Sequence, residues 1–217
     1  MDHKITALKA QKRNPNRINV YLDGEFAFGL ARIVAAWLQI GQSINDEKIL
    51  TLQSQDTIEV AYQKALHFLS YRQRSEDEIR RKMQTAGFDE EIANIVLGRL
   101  RETGMVSDSA FARGWVENRA ASRPRSRRAL AIELRRKGIS EEDISNALAE
   151  TDDESDLAYR AGVRYANRLS QADWDTFRER LTAFLGRRGF SYGTIVPQVR
   201  KIWVEIHSRQ SDQPDSD

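Results

Sequence analysis

The sequence predicts a mainly α fold: a tandem array of three three-helix units behind a small β-rich N-terminal head. Three observations predict it. Gly87, Gly138 and Gly189 recur at an interval of 51 residues. The same residue types flank each of them. Ile79, Leu130 and Leu181 stand eight positions before, Met83, Leu134 and Leu185 four before, and Phe88, Ile139 and Phe190 one after. Asp89, Ser140 and Ser191 follow two after, and Leu97, Leu148 and Val199 ten after. This is the pattern of a helix ended by a left-handed glycine. The apolar residue after the glycine touches the one four before it, and the Asp or Ser caps the next helix. The third observation is a change of period. Ile18, Val20 and Leu22 alternate with other residues, as do Phe26, Phe28 and Leu30, and Asp23-Gly24 stands between the two runs. An Asp-Gly pair between alternating runs is a hairpin signal.

The elements follow in order. Ile5 to Ala10 reads as a strand, joined to the hairpin through the polar turn Lys12 to Asn16. Ala31 to Leu38 reads as helix, and Asn45 caps a short helix from Asp46 to Gln53. Residues 1–55 are therefore the expected head, and the helical units are expected to fold without it. Unit one, 56–105, has helices near 57–72, 76–86 and 90–102, with Ser75 and Glu78 as a capping box. Unit two, 106–152, has helices near 108–121, 127–137 and 141–149, with Ser107 and Ser140 as caps. Unit three, 153–209, has helices near 154–169, 174–188 and 192–208. Pro197 there implies a kink or a later helix start. Residues 210–217 read as a disordered acidic tail.

Composition narrows the function. The chain has 217 residues, of which 30% are charged and 40% hydrophobic, and no cysteine. Disulfides and thiolate metal sites are excluded, and a cytoplasmic protein without a membrane span or signal segment is expected. His3, His67 and His207 lie far apart with no metal-ligand spacing, and no Gly-rich phosphate loop stands between a strand and a helix. No nucleophile and base pair up. The expectation is a protein that is not an enzyme and carries no metal or cofactor. The recurrent aromatics Tyr62, Phe68, Phe111, Trp115, Tyr159 and Tyr165 read as core anchors rather than base-stacking platforms.

Charge is segregated. The formal net charge is +2, but from Arg72 to Lys137 there are 16 Lys and Arg against 10 Asp and Glu, and Asp212 to Asp217 holds three Asp and no cation. Arg119, Arg123, Arg125, Arg127 and Arg128 crowd one loop and the helix start after it. Ser126 occupies the place that Ser75 holds in unit one. Glu76, Asp77 and Glu78 follow Ser75, as a helix N-terminus favours, whereas Arg127 and Arg128 follow Ser126. A cation in the first turn costs about 0.3–1 kcal/mol relative to the opposite charge. A solvent-facing loop that binds phosphate or an acidic protein surface is the expected reason. Arg135, Arg136 and Lys137 extend the basic surface, Arg72 and Arg74 in the equivalent loop of unit one are further candidates, and Arg187 and Arg188 read as C-terminal helix charges.

The stretch from Ala65 to Met83, centred on Tyr71-Arg72-Gln73-Arg74-Ser75-Glu76-Asp77-Glu78, resembles the opening signature of the RecX regulatory proteins. Leu100-Arg101-Glu102-Thr103-Gly104, running on to Ala112, resembles the family's central segment. Arg123-Pro124-Arg125-Ser126 followed by Glu133-Leu134-Arg135-Arg136-Lys137-Gly138-Ile139 resembles the next. The match is specific in the first two units and looser in the third. The resemblance implies a bacterial cytoplasmic modulator of the recombinase RecA, made of tandem three-helix units. Its implied partner is the RecA–DNA filament, bound along the groove by a monomer, usually with inhibition. Single- or double-stranded DNA is a further candidate partner. An independent nucleic-acid-binding architectural protein is the alternative.

Overall fold

The structure, a computed structural model, describes residues 1–211. It divides into two compact units, Met1–Val106 and the chain from Ser107 onward.

The first unit opens with an antiparallel sheet of β1 (Asp2–Ala10), β2 (Arg17–Leu22), β3 (Glu25–Ala31) and β4 (Ser43–Asn45), in the order β3-β2-β1-β4. The turn between β2 and β3 is Asp23-Gly24, with φ of 53° and 97°. Two positive φ values make the tight turn whose twist matches the strands. The Asp23 carboxylate accepts from the Lys4 backbone N–H at 3.0 Å and pairs with His3 Nδ1 at 2.9 Å, which ties the turn to β1. Ile5, Val20, Leu22, Leu30 and Ile44 put one face of the sheet into a small core with Leu52 of the following helix. The helix expected at 31–38 is only a 3-10 turn, Val34–Trp37. Strand β4 has no sequence signal, because three residues are too few for alternation to register.

The main departure is α1 (Asp46–Leu69), a single helix of 24 residues. The short helix at 46–53 and the first helix of unit one are one element, so the boundary expected at residue 55 falls inside it. Nothing between Gln53 and Thr57 breaks a helix. Asp56, near the middle of α1, accepts from the Arg17 guanidinium at 2.8 Å and from the Ala31 N–H. Cutting the chain at 55 would therefore split α1 and remove a partner of the sheet. Asn45 caps α1 as expected, accepting from the Lys48 N–H at 2.8 Å.

α1 packs with α2 (Glu76–Thr85) and α3 (Glu90–Glu102) around Ala61, Ala65, Ile79, Met83, Val96, Leu97 and Leu100. Ser75 and Glu78 form the full capping box at the start of α2. In the second unit α4 (Asp108–Ser122), α5 (Arg127–Arg135) and α6 (Glu141–Ala149) enclose Phe111, Val116, Leu130, Leu134 and Ile144. α7 (Glu154–Ala166), α8 (Trp174–Arg187) and α9 (Tyr192–Ser211) enclose Leu157, Phe177, Leu181, Leu185 and Ile202. Fully burying one such side chain contributes about 1.5–3 kcal/mol. Pro197 lies inside α9, which begins at Tyr192 rather than later. α9 also takes in residues 210 and 211 of the expected tail, while Asp212 to Asp217 lie outside the described residues.

The three glycines do what their flanks predict. Their φ values are 86°, 77° and 91°. In each case the residue after the glycine donates its N–H to the carbonyl of the apolar residue four before the glycine: Phe88 to Met83 at 3.1 Å, Ile139 to Leu134 at 3.2 Å and Phe190 to Leu185 at 3.3 Å. These are Schellman caps. Gly104 ends α3 in the same way, with φ of 67° and a bond from Met105 N–H to Leu100 O.

Candidate basic interface

The site is built on the segment that links α4 to α5. α4 is stopped at Ser122, where Arg123 takes a non-helical φ of −144° and Pro124 follows. Pro has no N–H to offer a helix and biases the residue before it away from helical geometry. The last carbonyls of α4 are left facing outward. Arg164 of α7 closes them, donating to Ala121 O and Ser122 O, each at 2.9 Å. Arg188, at the end of α8, donates to Pro124 O at 3.0 Å and lies over the Phe184 ring at 4.5 Å. Arg164 and Arg188 therefore both lie on the segment that carries Arg123 and Arg125. Burial, and then the neighbouring charges of Arg125, Arg123 and Arg164, hold the Arg188 guanidinium below its ordinary pKa. Four guanidinium groups share one small surface and repel one another.

Only part of that charge is met. Glu133 of α5 pairs with Arg125 at 2.9 Å and with Arg119 at 3.0 Å, and it also accepts from the Trp115 indole N–H at 2.8 Å. Arg119 lies over the Trp115 ring at 4.6 Å and Lys137 at 5.3 Å. Arg123 and Arg128 are exposed, and among the described residues neither has a carboxylate partner. The arrangement presents planar donors on an excess of positive charge, which suits phosphate or carboxylate.

The loop does not face solvent throughout, and the start of α5 is not an open anion site. Ser126 is fully buried. Its N–H donates to Arg188 O at 3.1 Å, and its Oγ accepts from the Ala129 N–H at 3.1 Å. Arg127 turns away from the cluster and donates to Thr151 O at 3.1 Å, just beyond the end of α6. That accounts for a cation in the first turn. It is unfavourable to its own helix, but it stands at the carbonyl end of α6, where a cation is favoured.

The remaining expected residues are dispersed. Arg135 is paired bidentately with Glu141 at 2.5 and 2.8 Å, which raises the Arg135 pKa and lowers that of Glu141. Arg136 is exposed. In the first unit Arg72 is held by Glu78 at 2.9 Å, and Arg74 lies over the Phe68 ring at 4.0 Å. Sequence reasoning missed Arg164, which carries no local signal, and took Arg188 for a helix-end charge. It also missed Glu133, whose three partners come from α4 and the loop. Among the expected core anchors, Tyr62 and Phe111 are buried, and Tyr165 stacks on Phe184 at 4.1 Å. Among the described residues no cluster of His, Asp and Glu could hold a metal, and no helix is long and apolar enough to cross a membrane.

Three family models match. Residues 3–45 match the regulatory protein RecX N-terminal domain, 61–100 the first RecX three-helix domain, and 107–148 the second. The chain is 31% identical over 209 residues to the regulatory protein RecX of Oceanobacillus iheyensis, covering 92% of this chain and 76% of that one. It is 29% identical over 205 residues to that of Clostridium perfringens, covering 92% and 96%. A crystal structure of regulatory protein RecX aligns with a TM-score of 0.72 at 27% identity, over 94% of this chain and 99% of the other. That of RecX from Lactobacillus salivarius aligns at 0.59 and 23% identity over 69% and 99%, and shares the fold. By models spanning its sheet and its first two helical bundles, and by relatives matched over most of their length, this chain belongs to the RecX family of regulatory proteins.

Proposed function

We propose that this protein is a cytoplasmic, monomeric inhibitor of the RecA recombinase that binds the RecA–DNA filament along its groove. It acts by binding and not by catalysis. The observation that carries the reading is the convergence of Arg123, Arg125, Arg164 and Arg188 on the loop after α4, where Glu133 pairs with Arg125 alone of the four. Like charges held together cost stability, and a bound anion offsets that cost. The filament supplies two anionic surfaces, DNA phosphate and acidic side chains. Contacts that are weak one by one become strong in sum when several engage together.

The test is RecA's DNA-dependent ATP hydrolysis as this protein is added. The rate is expected to fall in a saturable way, while the protein alone hydrolyses no nucleotide. An unchanged rate, or hydrolysis by the pure protein that one substitution abolishes, would overturn the reading. The salt dependence of filament binding identifies the anion. Each phosphate neutralised adds about 0.7–0.9 to the slope of log K against log salt. A duplex bound without RecA, with that slope, would favour an independent nucleic-acid-binding protein instead.

A further inference from the structure

The first unit holds a groove that the basic cluster does not explain. Its volume is about 1190 Å³, more than the roughly 300–1,000 Å³ of a small-molecule pocket. The segment after β3 lines it with Ile33 and Ala36, and α1 and α2 line it with Val60, Met83 and Ala86. Ile33 is 60% exposed. A smaller groove shares Ile33 and adds Trp37, which is 89% exposed. A tryptophan left in water is the kind of side chain that dominates interfaces once covered.

The charge that lines this apolar surface without an ion-pair partner among the described residues has one sign. Arg32, Lys64 and Lys82 line the groove without a carboxylate partner among the described residues. Glu59 is the carboxylate that lines it, and it is already engaged by Arg99 at 2.7 Å and Gln63 at 2.8 Å. Arg17 is likewise matched by Asp56. The aromatic rings are poorly placed for nucleobases. The Phe68 face is covered by the Arg74 guanidinium at 4.0 Å. Tyr71 meets the His67 ring edge-on at 5.1 Å, with its hydroxyl held by His67 Nε2 at 3.1 Å. The aliphatic part of the lining, Ile33, Ala36 and Val60, offers bases no π-face to stack on, and Tyr71, 70% exposed, is the ring left open at its edge.

We propose that this groove docks an amphipathic peptide segment of a partner protein, apolar along one face and carboxylate-rich along its edges. Apolar anchors seat against Ile33, Ala36 and Val60, and the carboxylates meet Lys64, Lys82 and Arg32. The proposal is independent of the arginine cluster and holds whether or not that cluster meets the filament.

Fluorescence polarisation on the full chain tests it. The probes are a labelled four-turn peptide with Leu at helical spacing and Glu on its edges, the same peptide with Lys in place of Glu, and a labelled oligothymidylate. The Glu peptide is expected to bind saturably, at least about tenfold more tightly than the Lys peptide. Ile33→Glu, and separately Lys64→Glu with Lys82→Glu, are each expected to weaken it at least about tenfold while the unfolding midpoint is kept. All three residues are exposed, and the two variants check each other for folding. Equal binding of both peptides, no saturation, or binding that ignores both variants would overturn the proposal. So would oligothymidylate binding that these variants abolish in place of peptide binding.

Discussion

Gly189→Ala is expected to destabilise the second unit by about 2–4 kcal/mol, well beyond the effect of Gly87→Ala in the first. Both glycines have positive φ, 91° and 86°, and a left-handed L residue costs about 1–2 kcal/mol. They differ in what a side chain would meet. At Gly87 a Cβ has nothing within 4 Å. At Gly189 it would stand 2.6 Å from Ser126 Oγ and 2.9 Å from the Ala129 Cβ. Ser126 cannot retreat, because it is fully buried and its hydroxyl caps α5. Overpacking of this kind adds about 1–3 kcal/mol. Denaturation followed by tryptophan fluorescence reads the second unit, which holds Trp115, Trp174 and Trp203. Helical circular dichroism reads Gly87→Ala. Equal losses at the two sites would contradict the close approach of Gly189 to Ser126.

Arg127→Glu is expected to destabilise the same unit by about 2–4 kcal/mol, although it improves the first turn of α5. The favourable dipole change is worth about 0.3–1 kcal/mol. Against it stand the removal of charged hydrogen bonds to Thr151 O and Asp152 O and a new carboxylate set against those carbonyls. The Asp153 carboxyl, whose pKa is lowered mainly by the Ser155 N–H and partly by Arg127, is also deprived of a favourable neighbour. Arg123→Glu, made on an exposed residue, is expected to leave the unfolding midpoint unchanged. A neutral Arg127→Glu would mean that its side chain is free in solution.

What was legible in the sequence was what is local. A Schellman cap is complete within six residues, so Gly87, Gly138 and Gly189 announced themselves through Met83, Leu134 and Leu185. The N-caps Ser75, Ser107 and Ser140 were equally self-contained. The continuity of α1 was not, because the head and the first bundle share one helix and nothing in the 46–69 stretch marks the change of neighbours. The site was half legible. The sequence placed Arg123 and Arg125 together, because Pro124 forces a loop between the two helices. It could not place Arg164 and Arg188, which reach that loop through hydrogen bonds spanning 42 and 64 residues. It also misread Arg127, since the dipole that this cation serves belongs to α6 rather than to its own helix.

The central claim is that the arginine cluster of the second unit holds the filament. The most direct test is RecA's DNA-dependent ATP hydrolysis titrated with the wild-type chain and with Arg123→Glu combined with Arg125→Gln. This pair removes the exposed Arg123 charge and the half-buried Arg125 charge that Glu133 meets, and leaves Glu133 its bonds to Arg119 and Trp115, so the fold is kept. Removing a charge-assisted hydrogen bond from a desolvated interface costs about 1.5–3 kcal/mol. The variant is therefore expected to need at least about tenfold more protein for half-maximal inhibition. A correctly folded variant that inhibits as well as the wild type would contradict the account.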